Sequence, residues 1–311
     1  MAIPSHLRAI LAMVVAMGVF VGTDSTMKIA MADAPLFQLM MMRGLAAMAA
    51  CLTLILLMGQ GAALARVFNP WLMSRGLLEV VANFSFTFAL FHVPIADLTA
   101  IAQTCPLFVL LGAWFFRGER LGPIRLGLIL LGILGALMVA QPGQGAASPY
   151  AVLAFLTASA AAVRDLITPN VPRGIPPLVV TFTVLLLLTL GSAGGMLALE
   201  QPVMPEARHV LLMALGGVLL VGGHFFIYIA YRIGPARSVA PFMYTLTIWA
   251  VLSGLVLFAE VPNALAVAGM ALVALAGLAI IYAEGRERRA GRPASAARSS
   301  PPPAGGPAGS S

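Results

Sequence analysis

Pro94-Ile-Ala-Asp-Leu-Thr-Ala-Ile-Ala-Gln-Thr-Cys-Pro106 falls into register with Pro235-Ala-Arg-Ser-Val-Ala-Pro-Phe-Met-Tyr-Thr-Leu-Thr247, 141 residues further on. Pro94 meets Pro235 and Thr104 meets Thr245. Upstream, the same offset brings Asp24 onto Asp165, Pro35 onto Pro176, Phe84 onto Phe225 and Ala89 onto Ala230. Downstream it brings Leu111 onto Leu252, Glu119 onto Glu260, and Leu131, Leu134 and Leu137 onto Leu272, Leu275 and Leu278. No gap is needed anywhere, so the shared register carries more weight than the individual, mostly apolar, identities.

Each copy holds five apolar segments of membrane length. Apolar residues make up 60% of the chain and charged residues 9%, with a mean hydropathy of +0.98. A soluble domain carries roughly a quarter charged residues. Stretches of about 20 apolar residues match the hydrocarbon core. They predict spans at 8–28, 36–58, 70–91, 95–116, 122–140, 149–168, 176–198, 207–231, 237–258 and 263–283, with Pro, Gly and polar clusters at the short joins. Five crossings end on the opposite side of the membrane, so two tandem copies are inverted relative to each other. The fold class expected is an all-α integral membrane protein of ten transmembrane helices in two inverted five-helix repeats. Inverted repeats are an architecture of secondary transporters, with substrate near the midplane between the halves.

Arginine placement orients the chain. Arg8, Arg66, Arg75, Arg117, Arg120, Arg125, Arg164, Arg173, Arg232, Arg237 and the five arginines of 286–298 fall on the side of the N-terminus. Only Lys28 and Arg208 fall on the other side, and Arg43 lies within a span. The positive-inside rule then puts both termini in the cytoplasm, in a multi-pass protein of the cell inner membrane. Residues 1–7 form a cytoplasmic N-terminus and the first span stays as an uncleaved signal-anchor. Residues 285–311, basic and then Ser/Pro/Gly-rich, are expected to be disordered and to adhere weakly to the inner leaflet. The net charge of +7 therefore reports topology and anionic lipid, not nucleic acid. Cys51 and Cys105 lie within spans and read as small packing residues. Nothing calls for a cofactor or a metal.

The chain resembles the drug/metabolite transporter superfamily of the EamA type. The likeness rests on Asp24-Ser-Thr-Met-Lys28, on Arg43-Gly, and on the run from Pro94 to Pro106 that closes on Gly118-Glu119-Arg. In the second copy it rests on Arg164-Asp165, on Pro241-Phe-Met-Tyr244 and on Ala259-Glu260, where Ala replaces the usual Gly. It covers about residues 8–284, with repeats at 8–140 and 149–284. The resemblance implies a carrier of amino acids, drugs, nucleotide-linked sugars, S-adenosylmethionine or vitamins such as riboflavin, and selects none of them.

Charges in hydrocarbon cost on the order of 2.5–3.5 kcal/mol each on insertion scales, so they mark partners, water or substrate. At about 1.5 Å per residue, Asp24 and Arg43 lie at similar depth below the outer face, which makes them candidates for an ion pair. Lys28 competes for Asp24 from one turn away on the same helix. The pair reads either as a structural clamp or as a gate or substrate contact. Glu79 lies in the cytoplasmic half of the third span, and Asn83 one turn on is the offset mate of His224, which Tyr228 follows at i+4. Gln103 and Thr104 face Tyr244 and Thr245 as mates, close to Pro106 and Pro241, whose missing N–H groups free carbonyls at depth. Trp249 and Phe84, Phe86 and Phe88 supply aromatic surface. The expected substrate cavity is Glu79, Asn83, Gln103, His224, Tyr228, Tyr244 and Trp249. Arg164 and Asp165 form a local ion pair or an inner gate, and Glu119 and Glu260 are helix ends expected to bind the amides of the following helix. Gly18, Gly22, Gly191 and Gly195 read as close helix contacts.

These features predict alternating access by a secondary active transporter whose two five-helix halves rock about a central cavity. The cargo expected is a small amphipathic metabolite, an amino acid or derivative, exported or imported according to gradient. Protons are candidate coupling ions through Glu79 and His224. The alternative cargo is a flat heterocycle such as riboflavin or S-adenosylmethionine. An acyltransferase reading rests only on His92-Val-Pro-Ile-Ala-Asp97, an H-x4-D spacing without a surrounding soluble fold.

Overall fold

The computed structural model describes residues 5–117, 122–141, 150–172, 174–234 and 239–290. The expectations for Glu119, the basic residues Arg120, Arg173 and Arg237, and the tail beyond 290 fall outside them. Among the described residues all regular structure is helical: α1 Ser5–Ala30, α2 Leu36–Leu57, α3 Pro70–Leu90, α4 Ile95–Ala102, α5 Cys105–Arg117, α6 Pro123–Ala140, α7 Ala151–Ile167, α8 Pro177–Leu199, α9 Ala207–Ile233, α10 Thr245–Phe258 and α11 Ala264–Ala290. α4 and α5 are one interrupted crossing, and a 3-10 turn at Ala240–Tyr244 leads into α10.

Local chemistry sets the starts. Pro35 and Pro176, mates in the repeat, occupy the residue before α2 and α8 in extended conformation. Asn69 caps α3 by accepting from the Trp71 and Leu72 amides, with Pro70 at the first helical position. Among the described residues eight helical spans, α4–α5 counted as one, are long and apolar enough to cross a membrane. α3 is long enough at 21 residues but carries Arg75, Glu79 and Asn83. α6 has a shorter apolar stretch, Leu126–Ala140. Large apolar side chains such as Leu57, Phe115, Phe116, Leu197 and Val256 face outward, as lipid contact requires. This is the expected ten-helix membrane fold in two inverted five-helix repeats.

The packing obeys the repeat's pseudo-two-fold. α1 lies on α9 and its mate α7 lies on α3; α2 lies on α9 and α8 on α3. The self-mated pairs are α2 on α8, α6 on α11 and α4 on α10. Almost every close packing therefore joins one sequence half to the other, which corrects the expectation of two halves that rock as separate blocks. Two mirror groups stand out instead. One is α1, α9 and α10; the other is α7, α3 and the broken α4–α5. They face each other across the centre, touching chiefly where α4 meets α10. α2 and α8 close one flank, α6 and α11 the other.

Helix association in lipid relies on close packing rather than apolar burial, so small residues sit where axes approach. Gly18 lies under the Trp249 ring, Gly191 against Phe84, and Gly195 against Phe37. The tightest crossing is α6 on α11, where a Cβ on Gly135 would come within 2.8 Å of the Gly269 carbonyl oxygen, and one on Gly269 would meet the Gly135 carbonyl in turn. Overpacking costs about 1–3 kcal/mol. Gly135→Leu or Gly269→Leu is therefore expected to lower the melting temperature in detergent, while Gly194→Leu, with nothing within 4 Å of its Cβ position, is expected to leave it unchanged.

Candidate functional site

The two broken crossings meet at the centre. Pro106 has no N–H for the Ala102 carbonyl, and the helix opens at Gln103 and Thr104 between α4 and α5. Thr104 Oγ1 donates to the Ile101 carbonyl at 2.7 Å, and its mate Thr245 Oγ1 donates to the Phe242 carbonyl at 2.6 Å. Ile101 and Phe242 are themselves mates. Each break is thus closed by the same hydroxyl three residues on. Across the axis, the Gln103 amide donates to Thr247 Oγ1, joining the break in one group to α10 in the other.

The outer end is held by Glu260. Its Oε1 pairs with Lys28 Nζ at 2.5 Å, and its Oε2 accepts from the Ile95 amide at 3.1 Å. Lys28 Nζ also donates to the Val93 carbonyl at 3.3 Å and lies over the Phe258 ring. The carboxylate therefore caps the N-terminus of α4, where the helix dipole favours negative charge. This corrects the expectation that Glu260 binds the helix following it. It likewise takes Lys28 away from Asp24. Glu260 is positioned by Ala259, which adopts φ 52° and ψ 28°. The left-handed region suits glycine, the residue that Ala259 replaces.

Glu200, which sequence reasoning missed, works in the same way on the same face, accepting from the Phe37 and Gln38 amides at 2.8 and 3.0 Å at the start of α2. Asp33 joins the α1–α2 turn to α9, with Oδ1 2.9 Å from His209 Nε2 and Oδ2 3.1 Å from Arg208. The His209 hydrogen bond, ahead of the nearby positive charges, holds the Asp33 carboxyl below its ordinary range.

Toward the end of the bundle that carries the start of α1, Glu79 Oε2 pairs with Arg164 Nη1 at 2.6 Å, and Arg164 also holds Asp165 at 2.8 Å. Cys105 Sγ approaches Asp165 at 3.8 Å. Arg164 thus ties α3 to α7, so Arg164–Asp165 is more than a local pair and Glu79 is not a free carboxylate. His224 lies on α9, in the mirror group opposite this cluster. Its Nδ1 lies 2.9 Å from the Leu220 carbonyl. A carbonyl only accepts, so Nδ1 carries the proton and Nε2 is left as the neutral ring's acceptor.

The remaining expected cavity residues divide. Tyr228 stays near the inner end, where its hydroxyl accepts from Arg232 at 3.2 Å. Tyr244 is buried against Gly277, and its hydroxyl has no described partner. Trp249 donates to the Val14 carbonyl at 3.1 Å while covering Gly18, so it packs α10 on α1. Asn83 Oδ1 accepts from Arg43 Nη2 at 3.3 Å. Asp24 and Arg43 make no ion-pair contact among the described residues, and Arg43 turns to Asn83 instead, which corrects the direct pairing.

His92 and Asp97 line an outer cavity of about 280 Å³ together with Gln141, Glu260 and Asn263. His92 Nδ1 donates to the Phe88 carbonyl at 3.1 Å and its ring stacks on Tyr150 at 3.6 Å. No hydrogen bond joins it to Asp97 among the described residues.

Inverted repeats whose interrupted helices meet at the midplane define the transporter class of membrane protein. Comparison with known proteins narrows it. Residues 7–141 match the EamA-like transporter family. A riboflavin transporter of Rhizobium johnstonii is 32% identical over 230 residues, 74% of this chain and 76% of that protein. The pseudopaline exporter of Pseudomonas aeruginosa is also 32% identical, over 233 residues, 74% of this chain and 81% of its own. An S-adenosylmethionine uptake transporter of Rickettsia prowazekii is 26% identical over 68% of this chain and 71% of its own. A crystal structure at 21% identity superposes with a TM-score of 0.59, covering 90% of this chain and 98% of that one, and supports the fold. The chain belongs to the EamA-like transporter family, within the drug/metabolite transporter superfamily.

Two outcomes follow from the outer face. Ala259→Gly is expected to raise the melting temperature, because the left-handed conformation costs a non-glycine residue about 1–2 kcal/mol. Asp33, with its folded pKa below the unfolded value of about 3.9, adds stability that is complete above that value and lost as pH falls through the folded one. Acid melting curves of Asp33→Asn are therefore expected to be flatter than wild type between about pH 5 and 3 and to converge with it at lower pH.

Proposed function

We propose that this chain is a secondary active transporter moving a small amphipathic metabolite, an amino acid or derivative, across the cell inner membrane by alternating access. Both termini lie in the cytoplasm in this reading, and the repeats span 8–140 and 149–284. The observation that carries it is the pair of mirror groups, α1/α9/α10 against α3/α4–α5/α7, which meet where the two interrupted helices face each other and Gln103 of one donates to Thr247 of the other. Motion of one group against the other about the α2/α8 and α6/α11 flanks exposes the space between the groups to one side at a time.

Each end has its own chemistry. Outward opening requires Glu260 to leave the Ile95 amide and Lys28 to leave the Val93 carbonyl, two contacts that join the groups at the outer end. At the inner end Glu79, Arg164 and Asp165 are all carried by one group and face His224 and Tyr228 on the other. Asn83 and Gln103 lie between these levels. His224 Nε2 is where a coupling proton binds, because Nδ1 is occupied. A substrate reaching this layer displaces water from groups already oriented by the helices, which is how binding energy can bias one conformation over the other.

The second reading is uptake of a flat heterocycle, favoured by the likeness to riboflavin and S-adenosylmethionine transporters and by ring surface at Phe20, Phe37 and Phe84.

In proteoliposomes, His224→Ala and Glu79→Gln are each expected to reduce flux at least about tenfold, the scale of one charged hydrogen bond, at unchanged protein level. Full flux in both variants removes these residues from the site. In a background lacking Cys51 and Cys105, a cysteine at Ala96 is expected to react several-fold faster with an external membrane-impermeant maleimide when Glu260→Gln is present. Equal rates sink the outer lock.

A further inference from the structure

Among the described residues Arg43 is the most deeply buried of the permanently charged side chains, and its donors are only partly met. It is the eighth residue of α2, about 10 Å below the outer end of that helix at 1.5 Å per residue. Asp24 on α1 and Asn83 on α3 lie six and seven residues from their own outer ends, so the three share one layer. Arg43 is 2% exposed. A guanidinium brings five N–H donors. The described contacts are one hydrogen bond to Asn83 Oδ1, at 3.3 Å, long for a charge-assisted bond, and Nε is buried with no partner. Asn83 Oδ1 is shared with the Thr87 hydroxyl at 3.4 Å, which weakens its hold further. On the far side a Cβ at Gly216 would lie 3.6 Å from Arg43 Cδ, so the side chain is fixed in place by packing rather than by its charge.

The surroundings limit what can answer that charge. Asp24 belongs to one mirror group and Asn83 to the other, with Arg43 on the flanking α2 between them. Thr26 of α1 meets Gly216, the glycine against which Arg43 also packs, and Asp24 does not touch Arg43 among the described residues, so the layer holds one carboxyl and one guanidinium standing apart. A simple anion on Arg43 would set two negative charges against one positive. A simple cation on Asp24 would do the reverse. A ligand with a carboxylate and an ammonium on neighbouring atoms keeps the layer neutral and pairs both groups, and burial of charge is tolerable only on those terms. A planar guanidinium with a free edge suits a carboxylate in particular.

We infer that Arg43 receives the carboxylate, and Asp24 the ammonium, of an α-amino-acid head group held between the two mirror groups at this layer. The inference rests on the transporter reading and deepens it, naming the part of the cargo that is recognised. The offset mate of Arg43 is Val184, so the other half of the repeat has no equivalent receptor. The head group then binds in one polarity, carboxylate toward α2, and the rest of the molecule extends toward the broken helices.

The test uses the purified full chain in detergent, with thermal stabilisation by the common L-amino acids and S-adenosylmethionine as the readout and riboflavin as the carboxylate-free control. At least one amino-acid compound is expected to stabilise the protein. Its methyl ester and its N-acetyl form should each bind at least about tenfold more weakly, the scale of a charged hydrogen bond. Arg43→Gln should lose affinity by a similar factor, Arg43→Lys should lose less, and Asp24→Asn should erase the preference for the free amine over the N-acetyl form. If Arg43→Gln does not fold, the ester and N-acetyl comparisons on wild type decide the matter. Stabilisation by riboflavin alone, an ester that binds as well as its acid, or unchanged affinity in Arg43→Gln overturns the head-group site. Counterflow of the same compounds in wild-type proteoliposomes separates the two readings. Binding without flux sinks transport and leaves the site standing; riboflavin flux without any amino-acid response does the opposite.

Discussion

Hydrocarbon supplies no hydrogen-bond partner, so every carbonyl released from a helix ladder inside the membrane must be met by the protein itself. The two interrupted crossings show how this chain meets that demand. Thr104 and Thr245 each turn a hydroxyl back onto the carbonyl three residues earlier. Gln103 then reaches across to Thr247. The breaks are stable because each is closed locally and because they face one another rather than lipid. The central polar layer depends on this arrangement: α4 and α10 touch where the ladder is open, and the groups around them are held apart by the same contact.

The backbone keeps the two-fold and the charges do not. Glu79 has Leu220 as its mate, Arg164 has Thr23, and Arg43 has Val184. Where one half ties α3 to α7 with an ion pair, the other ties α9 to α1 with the Thr23 hydroxyl on the Gly216 carbonyl at 3.1 Å. Both devices hold a helix pair, yet only one leaves a charged surface facing the centre. Symmetric packing lets two conformations have similar energies. Asymmetric charge makes the two ends of the bundle chemically different.

Much of this was legible in the residues. The offset of 141 gave the ten-helix inverted fold, the mates at the broken helices and the small residues at helix contacts. Depth along each helix is easily counted, and it puts Asp24 and Arg43 at one level. Depth says nothing of azimuth, however, and azimuth decides contact. Arg43 turns to Asn83, Lys28 turns to Glu260, and Trp249 turns onto Gly18 instead of the central space. The Glu79–Arg164 pair was hidden for a different reason. It joins α3 to α7, neighbours only because the halves interdigitate, and an ordering of five helices followed by five gives no sign of it. One signal was available: Glu79 and Arg164 stand toward the same end of the bundle on α3 and α7, and a buried carboxylate without a mirror partner needs a cation within reach of a long side chain.

Kinship places a further constraint on where specificity resides. A riboflavin transporter and a pseudopaline exporter stand at the same 32% identity to this chain over nearly the same length. One of the two is an exporter, and the two cargoes differ. The elements common to the family, the inverted repeat, the helix breaks and their closing hydroxyls, therefore fix neither cargo nor direction. Cargo has to be read by side chains that the backbone symmetry does not dictate and that lie between the moving groups. In this chain those are the unmirrored ones. Glu79 is already neutralised by Arg164. Arg43 alone among them is sealed from lipid and water with a donor unspent, so it is the residue through which a bound molecule can most change the energy of this layer.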